Sequence, residues 1–596
     1  MLTRPRPARL VLYLGAACAS ALAGPGDSLP LALRGVNPDR LSAGLFAALD
    51  AEGAFGPRPP AVRARTGATD LSKGRPPAVL DARVGANIRL GEDPSPLPPT
   101  QPGQAEPHLC RSAANPDLLL ATFQEGRFSV NGGGLGCGYS VSRDGGLTWS
   151  RALIPRLTSA SGGPYFRATD PVAAIGPQGD LYLNTLVSLD NAFGLAAVVV
   201  SRSVDSGANW TAPIVVFQSA NSRTVPDKNW LAVNDYVGAP NSGRLAVTWT
   251  AFTSTASGAP TGNNIVASIS DDRGGSWSEP VAVTPANMAN QGSQPVFLPD
   301  GSLALIYAAS FNPSAPTLFS IECKRSADGG RTYPATANTA VALAVGWDDP
   351  DIRDGVALPT ATAARQTGEL FVGYAAVVGG SPRVLVTKSS DQGVTWTPPV
   401  IASDQPAGAS VMNPAIAVTP DGRAVSIVFM DRRNARDGRD VVDHYVAQSF
   451  DGGLTWRPNL RLTEMASDIR LATPTSRGYM LGDYLGLAPS LGSDQPCVAI
   501  WCDTRTGDAD PFTVRFAPVA EQTFDAWRTA RFTRAELADP GRSGAVADFD
   551  HDGVSNYVEF DAGTDPRVVE SGEMLVLSRP GADTLEKLME MAGPIV

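Results

Sequence analysis

Ser142–Trp149 reads SRDGGLTW, and Ser449–Trp456 reads SFDGGLTW. Four related stretches lie between them: SVDSGANW from Ser203 to Trp210, SDDRGGSW from Ser270 to Trp277, SADGGRTY from Ser326 to Tyr333, and SSDQGVTW from Ser389 to Trp396. All six read S-x-D-x-G-x-x-[W/Y], and their serines stand at 142, 203, 270, 326, 389 and 449. A near-constant period of this kind is the signature of a repeat architecture. Each box has the chemistry of a tight turn. The Asp carboxylate accepts hydrogen bonds from backbone N–H groups around the bend. The Gly two places later supplies a backbone with φ > 0. The aromatic ring is expected to be buried beside the turn and to lock a hairpin.

Working outward, the intervals between boxes hold short apolar runs such as Ala196–Val200, Arg244–Trp249, Leu370–Tyr374 and Ala424–Phe429. They are rich in β-branched and aromatic residues and bounded by Gly, Pro, Asp and Asn, which marks them as strands. A period of about 60 residues holds four short strands and their loops, one blade of a propeller. Composition agrees: Gly 60 and Pro 50 in 596 residues argue for many turns, and 18% charged residues argue against a long helical array. The net charge of −11 argues against a nucleic-acid partner, which would call for a basic surface.

The boxes resemble the Asp-box, or bacterial neuraminidase repeat, of the sialidase-like β-propellers. The resemblance implies an all-β fold over residues 84–519, with the boxes at the periphery and on the face opposite the active site. After the sixth box, Tyr484–Ser490, Pro496–Cys502 and Phe512–Val519 read as three more strands, and Ala86–Leu90 reads as a lone strand upstream. Unpaired sheet edges are unfavourable. The expectation is therefore a seven-bladed propeller whose last blade is completed by the N-terminal strand near Phe512–Arg515. A six-bladed ring is the alternative.

Residues 1–23 have the layout of a secretory signal peptide: Arg4, Arg6 and Arg9, then the apolar run Leu10–Ala23 ending in Ala21-Leu-Ala23. That run is shorter than the ~20 residues of a membrane span. A secreted or periplasmic location follows, with no transmembrane segment. Residues 24–83, rich in Pro, Ala, Arg and Gly, read as a largely disordered leader. Once Cys18 is removed with the signal segment, Cys110, Cys137, Cys323, Cys497 and Cys502 remain, odd in number and with no C-x-x-C, so neither a disulfide framework nor a zinc site is indicated. His108, His444 and His551 form no H-E-x-x-H, and no G-x-S-x-G is present.

Residues 548–559 match the calcium-loop pattern D-x-[DN]-x-[DN]-G-x5-E. Asp548, Asp550, Asp552 and Glu559 supply carboxylates, Val554 a backbone carbonyl and Asn556 a ligand direct or through water, with Gly553 at the sharp bend. Calcium is the expected cofactor. With the helical stretch Thr523–Leu537, residues 520–566 resemble dockerin- or thrombospondin-type calcium loops appended to exported bacterial proteins. Only one loop is visible, which favours a structural role. Residues 567–596 form a tail.

On a propeller, ligands bind at a mouth of the central channel. Counting from the boxes places Arg167, Asp170, Asp227, Arg353, Asp354, Asp483 and Tyr484 at the starts of innermost strands. It places Arg432, Arg433, Asp503 and Arg505 in loops joining second to third strands. Converging Arg and Asp suit an anionic or polyhydroxyl ligand. They also suit ion-pair networks that hold blades together. The resemblance implies, for a true sialidase, three arginines, a Tyr nucleophile and an Asp acid. Tyr484 beside Asp483 is the one Tyr-acid pair nominated. The F/Y-R-I-P motif of sialidases is missing, since Ala152-Leu-Ile-Pro155 lacks the arginine. The expected function is a propeller that binds or acts on extracellular glycans or glycoproteins. The alternatives are an exo-α-sialidase-type glycoside hydrolase and a non-catalytic protein-interaction propeller.

Overall fold

A computed structural model describes residues 78, 80–90, 103–127, 134–190, 195–257, 260–285, 289–310, 318–353, 358–435, 440–475, 478–492, 495–518, 524–551, 553–562 and 566–567. The signal-like segment and most of the leader lie outside them, as do Asp354 and Asp552. The protein is nearly all β, with few helices, in a propeller-like arrangement. Its strands form four-stranded antiparallel groups in chain order, spanning 105–153, 167–218, 224–282, 289–345, 360–401 and 411–461. A single parallel bridge, Asn263 to Ala289, joins the third group to the fourth. A further group combines Gly486–Ala488, Cys497–Asp503 and Asp510–Phe516 with the short strand Ile88–Arg89. There Ile88 pairs with Thr513 and Arg89 with Phe512.

The core is a series of apolar layers between consecutive groups. Val172, Tyr182 and Val198 meet Leu245, Val247 and Trp249 in one layer. Leu370 and Val372 meet Ile306 and Phe319 in another. Leu109, Leu119 and Phe123 of the first group pack on Ala488, Val498 and Ile500 of the last. The first strands lie side by side: Ala105–Arg111 touches Arg167–Ile175, and so on to Val411–Val418, Gly486–Ala488 and back to Ala105–Arg111. Strands such as Arg167–Ile175 and Ala196–Ser203 are buried almost throughout. Their near-continuous apolar composition follows from cover on both faces.

All six boxes form one hydrogen-bond pattern. In the Ser389 box, the Ser389 hydroxyl donates to Asp391 Oδ1 at 2.7 Å and accepts from Gly393 N–H at 2.8 Å. Asp391 Oδ1 accepts from the Val394 and Thr395 N–H groups at 3.1 and 2.8 Å. The Thr395 hydroxyl donates to Asp391 Oδ2 at 2.5 Å. These bonds, the Thr395 side chain's first, hold the Asp391 carboxyl at about 2, below its ordinary 3.8. Gly393 has φ 91°, and a Cβ there would stand 2.6 Å from Cys323 Sγ, so the glycine is required twice over. The seventh position, open in the sequence pattern, holds Thr148, Asn209, Ser276, Thr332, Thr395 or Thr455, each donating its side chain to the box Asp. The aromatic positions differ from expectation. Trp210 is buried, whereas Trp149, Trp277, Trp396 and Trp456 are half-buried. These four rings pack against the apolar layers; Trp396 Nε1 also donates to Gly393 O of its own turn at 3.2 Å.

After the last strand, helices α1 (Phe524–Arg531), α2 (Arg534–Leu537), α3 (Pro540–Ser543) and α4 (Asn556–Ala562) gather around Trp527, Phe532 and Tyr557. Thr533 and Glu536 form a capping box at the start of α2.

Candidate functional site

Five of the first strands share a defect. Pairing with the second strand slips between Ala105 and His108, Thr169 and Val172, Asp227 and Trp230, Gln291 and Gln294, and Met412 and Ala415. At these bulges Glu106, Asp170, Lys228, Gly292 and Asn413 have φ of 54°, 49°, 51°, 68° and 50°. A positive φ is costly for residues other than glycine, and such strain clusters at functional sites. Proline follows three of them, as Pro107, Pro171 and Pro414. Having no N–H, proline is tolerated at a bulge where the ladder is broken.

The bulges help gather a buried charged cluster. Asp483 Oδ2 accepts from Lys228 Nζ and, at 2.9 Å, from Arg353 Nη1. Asp170 Oδ2 accepts from the Lys228 N–H at 3.2 Å, and its Oδ1 from the Thr169 hydroxyl at 3.1 Å. Glu106 Oε2 accepts from Gln124 Nε2 and from the Asp170 N–H at 3.3 Å. Asn229 Nδ2 donates to Asp170 O at 3.0 Å and to Asn184 Oδ1 at 2.6 Å. Each residue of the cluster is nearly or fully buried. Burial pushes the Asp170 carboxyl up, against the pull of Lys228. Burial opposes ionisation of Asp483 too, but Lys228 and Arg353 outweigh it and hold that carboxyl below its ordinary range. Burial, with the neighbouring carboxylates, raises Tyr484 well above 10. The Tyr484 hydroxyl donates to Pro171 O at 3.4 Å, and its ring meets Trp230 edge-on, 5.7 Å between centroids.

A cavity of about 320 Å³ ends at this cluster. Every first strand contributes to it, through His108, Ala173, Trp230, Gln294, Thr362, Ile416 and Leu487. Its outer rim is Ala113, Tyr236, Arg365 and Leu491, which also line an open vestibule with Val237, Pro240, Pro299 and Pro420. These rim residues lie in the connections from first to second strands. In an antiparallel four-stranded meander, those connections and the third-to-fourth turns carrying the boxes lie on one side. The cavity thus opens on the side of the Asp boxes. Arg365 at the rim pairs with Asp235 at 2.6 Å and lies over Tyr236 at 4.4 Å.

The nominated residues divide. Asp170, Arg353, Asp483 and Tyr484 come together in the cluster, joined by Glu106 and Lys228, two residues outside the candidate set. Asp227 is buried beside it and accepts from Gln291 Nε2 at 3.4 Å. Arg167 is buried at the start of its strand. Arg432, Arg433, Asp503 and Arg505 stand apart, in ion pairs of their own. Arg432 bridges Asp349 and Asp351, both at 2.8 Å. Arg433 pairs with Asp431 at 2.7 Å and Asp404 at 2.8 Å, over the Tyr445 ring at 3.9 Å. Arg505 pairs with Asp503 at 2.6 Å and Glu464 at 3.5 Å, over Phe512 at 4.4 Å. The spelling D-x-R is itself a local clasp. The Asp accepts both the backbone N–H and the guanidinium of the Arg two places on, at Asp431/Arg433, Asp503/Arg505, Asp468/Arg470 and Asp81/Arg83.

In the C-terminal loop, Gly553 has φ 93° and its N–H donates to Asp548 Oδ2 at 2.9 Å. Asn556 Nδ2 donates to the carbonyls of Arg542 and Gly544, both at 2.9 Å, and Glu559 is buried. Asp548 Oδ1 and Asn556 Oδ1 are buried without a hydrogen-bond partner among the described residues. No group of three or more His, Cys, Asp or Glu residues fit for a metal occurs among the described residues, which exclude Asp552. No helix among the described residues is long and apolar enough to cross a membrane.

No curated protein matches. Solved structures match at low identity. The α-L-arabinofuranosidase of Fusarium graminearum with arabinobiose is 12% identical, with a TM-score of 0.38, covering 73% of this chain and 98% of that one. A Hadza microbial sialidase is 14% identical, with a TM-score of 0.39, covering 74% and 98%. The Trypanosoma rangeli sialidase in complex with sialic acid is 13% identical, with a TM-score of 0.34, covering 61% and 56%. By sequence, residues 243–478, which contain the boxes beginning at Ser270, Ser326, Ser389 and Ser449, match the family model of the BNR repeat-like domain.

Proposed function

We propose that this chain is an exported, glycan-binding propeller whose seven four-stranded groups close into one ring, with the ligand held near the axis and no hydrolysis. The ring reading is supported by the pairing of Ile88–Arg89 with Asp510–Phe516 and by the contact of Gly486–Ala488 with Ala105–Arg111. Export rests on the signal-like N-terminus. Glycan as the ligand class rests on the BNR repeat-like match and on an axial cavity that combines aromatic walls with convergent polar groups.

One observation carries binding over hydrolysis: the state of Tyr484. A tyrosine nucleophile needs an exposed hydroxyl beside a base. Here the ring is buried, its hydroxyl is spent on Pro171 O, and its ionisation is strongly opposed. The adjacent Asp483 is engaged by Lys228 and Arg353. A glycan array on the purified chain tests the reading. Retention of at least one glycan class is expected, and an array without any retained glycan overturns it.

Calcium at residues 548–559 belongs to the same proposal. The oxygen-only donor set suits this cation, and the partnerless Asp548 Oδ1 and Asn556 Oδ1 fit a loop whose oxygens surround a cation. Asp548, Asp550, Asp552, Asn556, Glu559 and the Val554 carbonyl would hold it. Bound calcium would supply charge neutralisation that fixes the loop against α4. Calorimetry on the full chain should show calcium binding that Glu559→Gln weakens. No calcium-dependent heat in the wild-type protein removes this part.

A further inference from the structure

We propose that the axial cavity takes a neutral hydroxylated ligand, a single sugar ring or the terminal ring of a glycan, and admits it from the Asp-box side. This rests on the glycan-binding reading above and adds the charge, size and approach of the ligand.

The approach follows from the topology. The cavity's rim is made by the connections after the first strands, at Ala113, Tyr236, Arg365 and Leu491, and it continues into the vestibule beside Pro240 and Pro299. Size follows from the volume: about 320 Å³ is at the small end of the range for ligand pockets, ~300–1,000 Å³.

Charge follows from the inner end. Asp483 Oδ1 and Asn229 Oδ1 are buried acceptors with no hydrogen-bond partner among the described residues, and both residues line the cavity. Buried polar atoms are normally satisfied, so two orphaned acceptors at one end of a cavity ask for donors. Hydroxyl groups supply them. A carboxylate supplies none, and the cations at hand are already engaged: Lys228 and Arg353 by Asp483, Arg365 by Asp235, and Arg111 Nη1 by the carbonyl oxygens of Pro489 and Pro496. A ligand cation would meet Lys228 and Arg353 beside the same acceptors. The walls complete the match, because His108, Trp230 and Tyr484 offer aromatic surface near the inner end, suited to the apolar face of a sugar ring.

Ligand-observed NMR and calorimetry on the full chain test this, with methyl β-galactoside, methyl α-mannoside and N-acetylneuraminate as probes. Binding of at least one neutral glycoside is expected, with N-acetylneuraminate at least tenfold weaker. Thr362→Trp and Val233→Trp fill the half-buried cavity wall at two separate strands. Each variant that keeps the wild-type melting temperature should lose at least tenfold in affinity, while Arg432→Ala binds as wild type. Unchanged affinity in folded cavity-filled variants, or preference for N-acetylneuraminate, overturns the assignment. If arrayed glycans are retained while these probes give no signal, the cavity assignment fails and glycan binding stands. If neither arrayed glycans nor probes bind, the glycan reading itself has failed.

Discussion

The rim and the axis of this molecule solve opposite problems with similar residues. At the rim, each box Asp is exposed or half-buried and is satisfied within seven residues of chain by a Ser, backbone N–H groups and a Thr, Ser or Asn. At the axis, Asp170 and Asp483 are buried and depend on Lys228 and Arg353, which lie 58 to 255 and 130 residues away in sequence. Local satisfaction can be repeated six times and read as a string. Long-range satisfaction must be assembled by the fold, and its residues vary from strand to strand. An acidic residue at the rim is therefore a turn device, whereas at the axis it is part of a constructed polar centre.

This contrast can be broken by mutation. Removing Asp483 leaves Lys228 and Arg353 buried without their shared counter-charge. Asp483→Ala should cost about 5 kcal/mol, the upper part of the range for a broken buried pair, measured by urea unfolding. A cost below about 1 kcal/mol would mean that water reaches the axis and solvates the cations. At the rim, Trp210→Ala should cost about 3–4 kcal/mol as a buried aromatic, and half-buried Trp396→Ala about 2. Equal losses at both positions would erase the distinction in ring burial.

Acid sharpens the comparison. The Asp391 carboxyl titrates at about 2 when folded, below its ordinary 3.8. A depressed folded value gives stability that is full above the ordinary value and lost as pH falls from about 4 to 2. Asp391→Asn should flatten that part of the acid-unfolding curve. His108, near the axis, is lowered by burial from 6.5 to about 4, and its Nδ1 accepts from the Ala173 N–H at 3.2 Å. Its contribution is full above 6.5 and is lost as pH falls from there to about 4, so His108→Gln should flatten a separate, higher window. The smallest effect belongs to the D-x-R clasps. Arg505→Ala should cost about 1–2 kcal/mol, because the buried Asp503 loses the guanidinium but keeps the N–H of residue 505 and Trp501 Nε1 as donors. A larger loss, with loss of glycan binding, would return Arg505 to the ligand site.

What the sequence makes legible follows the same division. The boxes and the apolar runs Ala196–Val200 and Leu370–Tyr374 announce turns and strands, because their causes are local. The lone strand near Ala86–Leu90 appears as Ile88–Arg89 on the last group. The axial cluster is legible only in fragments: Glu106-Pro107, Asp170-Pro171 and Asn413-Pro414 recur at the bulges, but nothing local says that Lys228 will meet Asp483. The D-x-R spelling misleads in the other direction. It looks like ligand-binding arginine and is, at Arg433 and Arg505, a clasp on the preceding Asp.

The central claim is that the axis binds and does not hydrolyse. A panel of fluorogenic glycosides, including a sialoside, tests it most directly on protein already shown to retain a glycan. The account predicts no turnover above buffer for any member. Turnover of one glycoside that Tyr484→Phe abolishes, with binding intact, would contradict it.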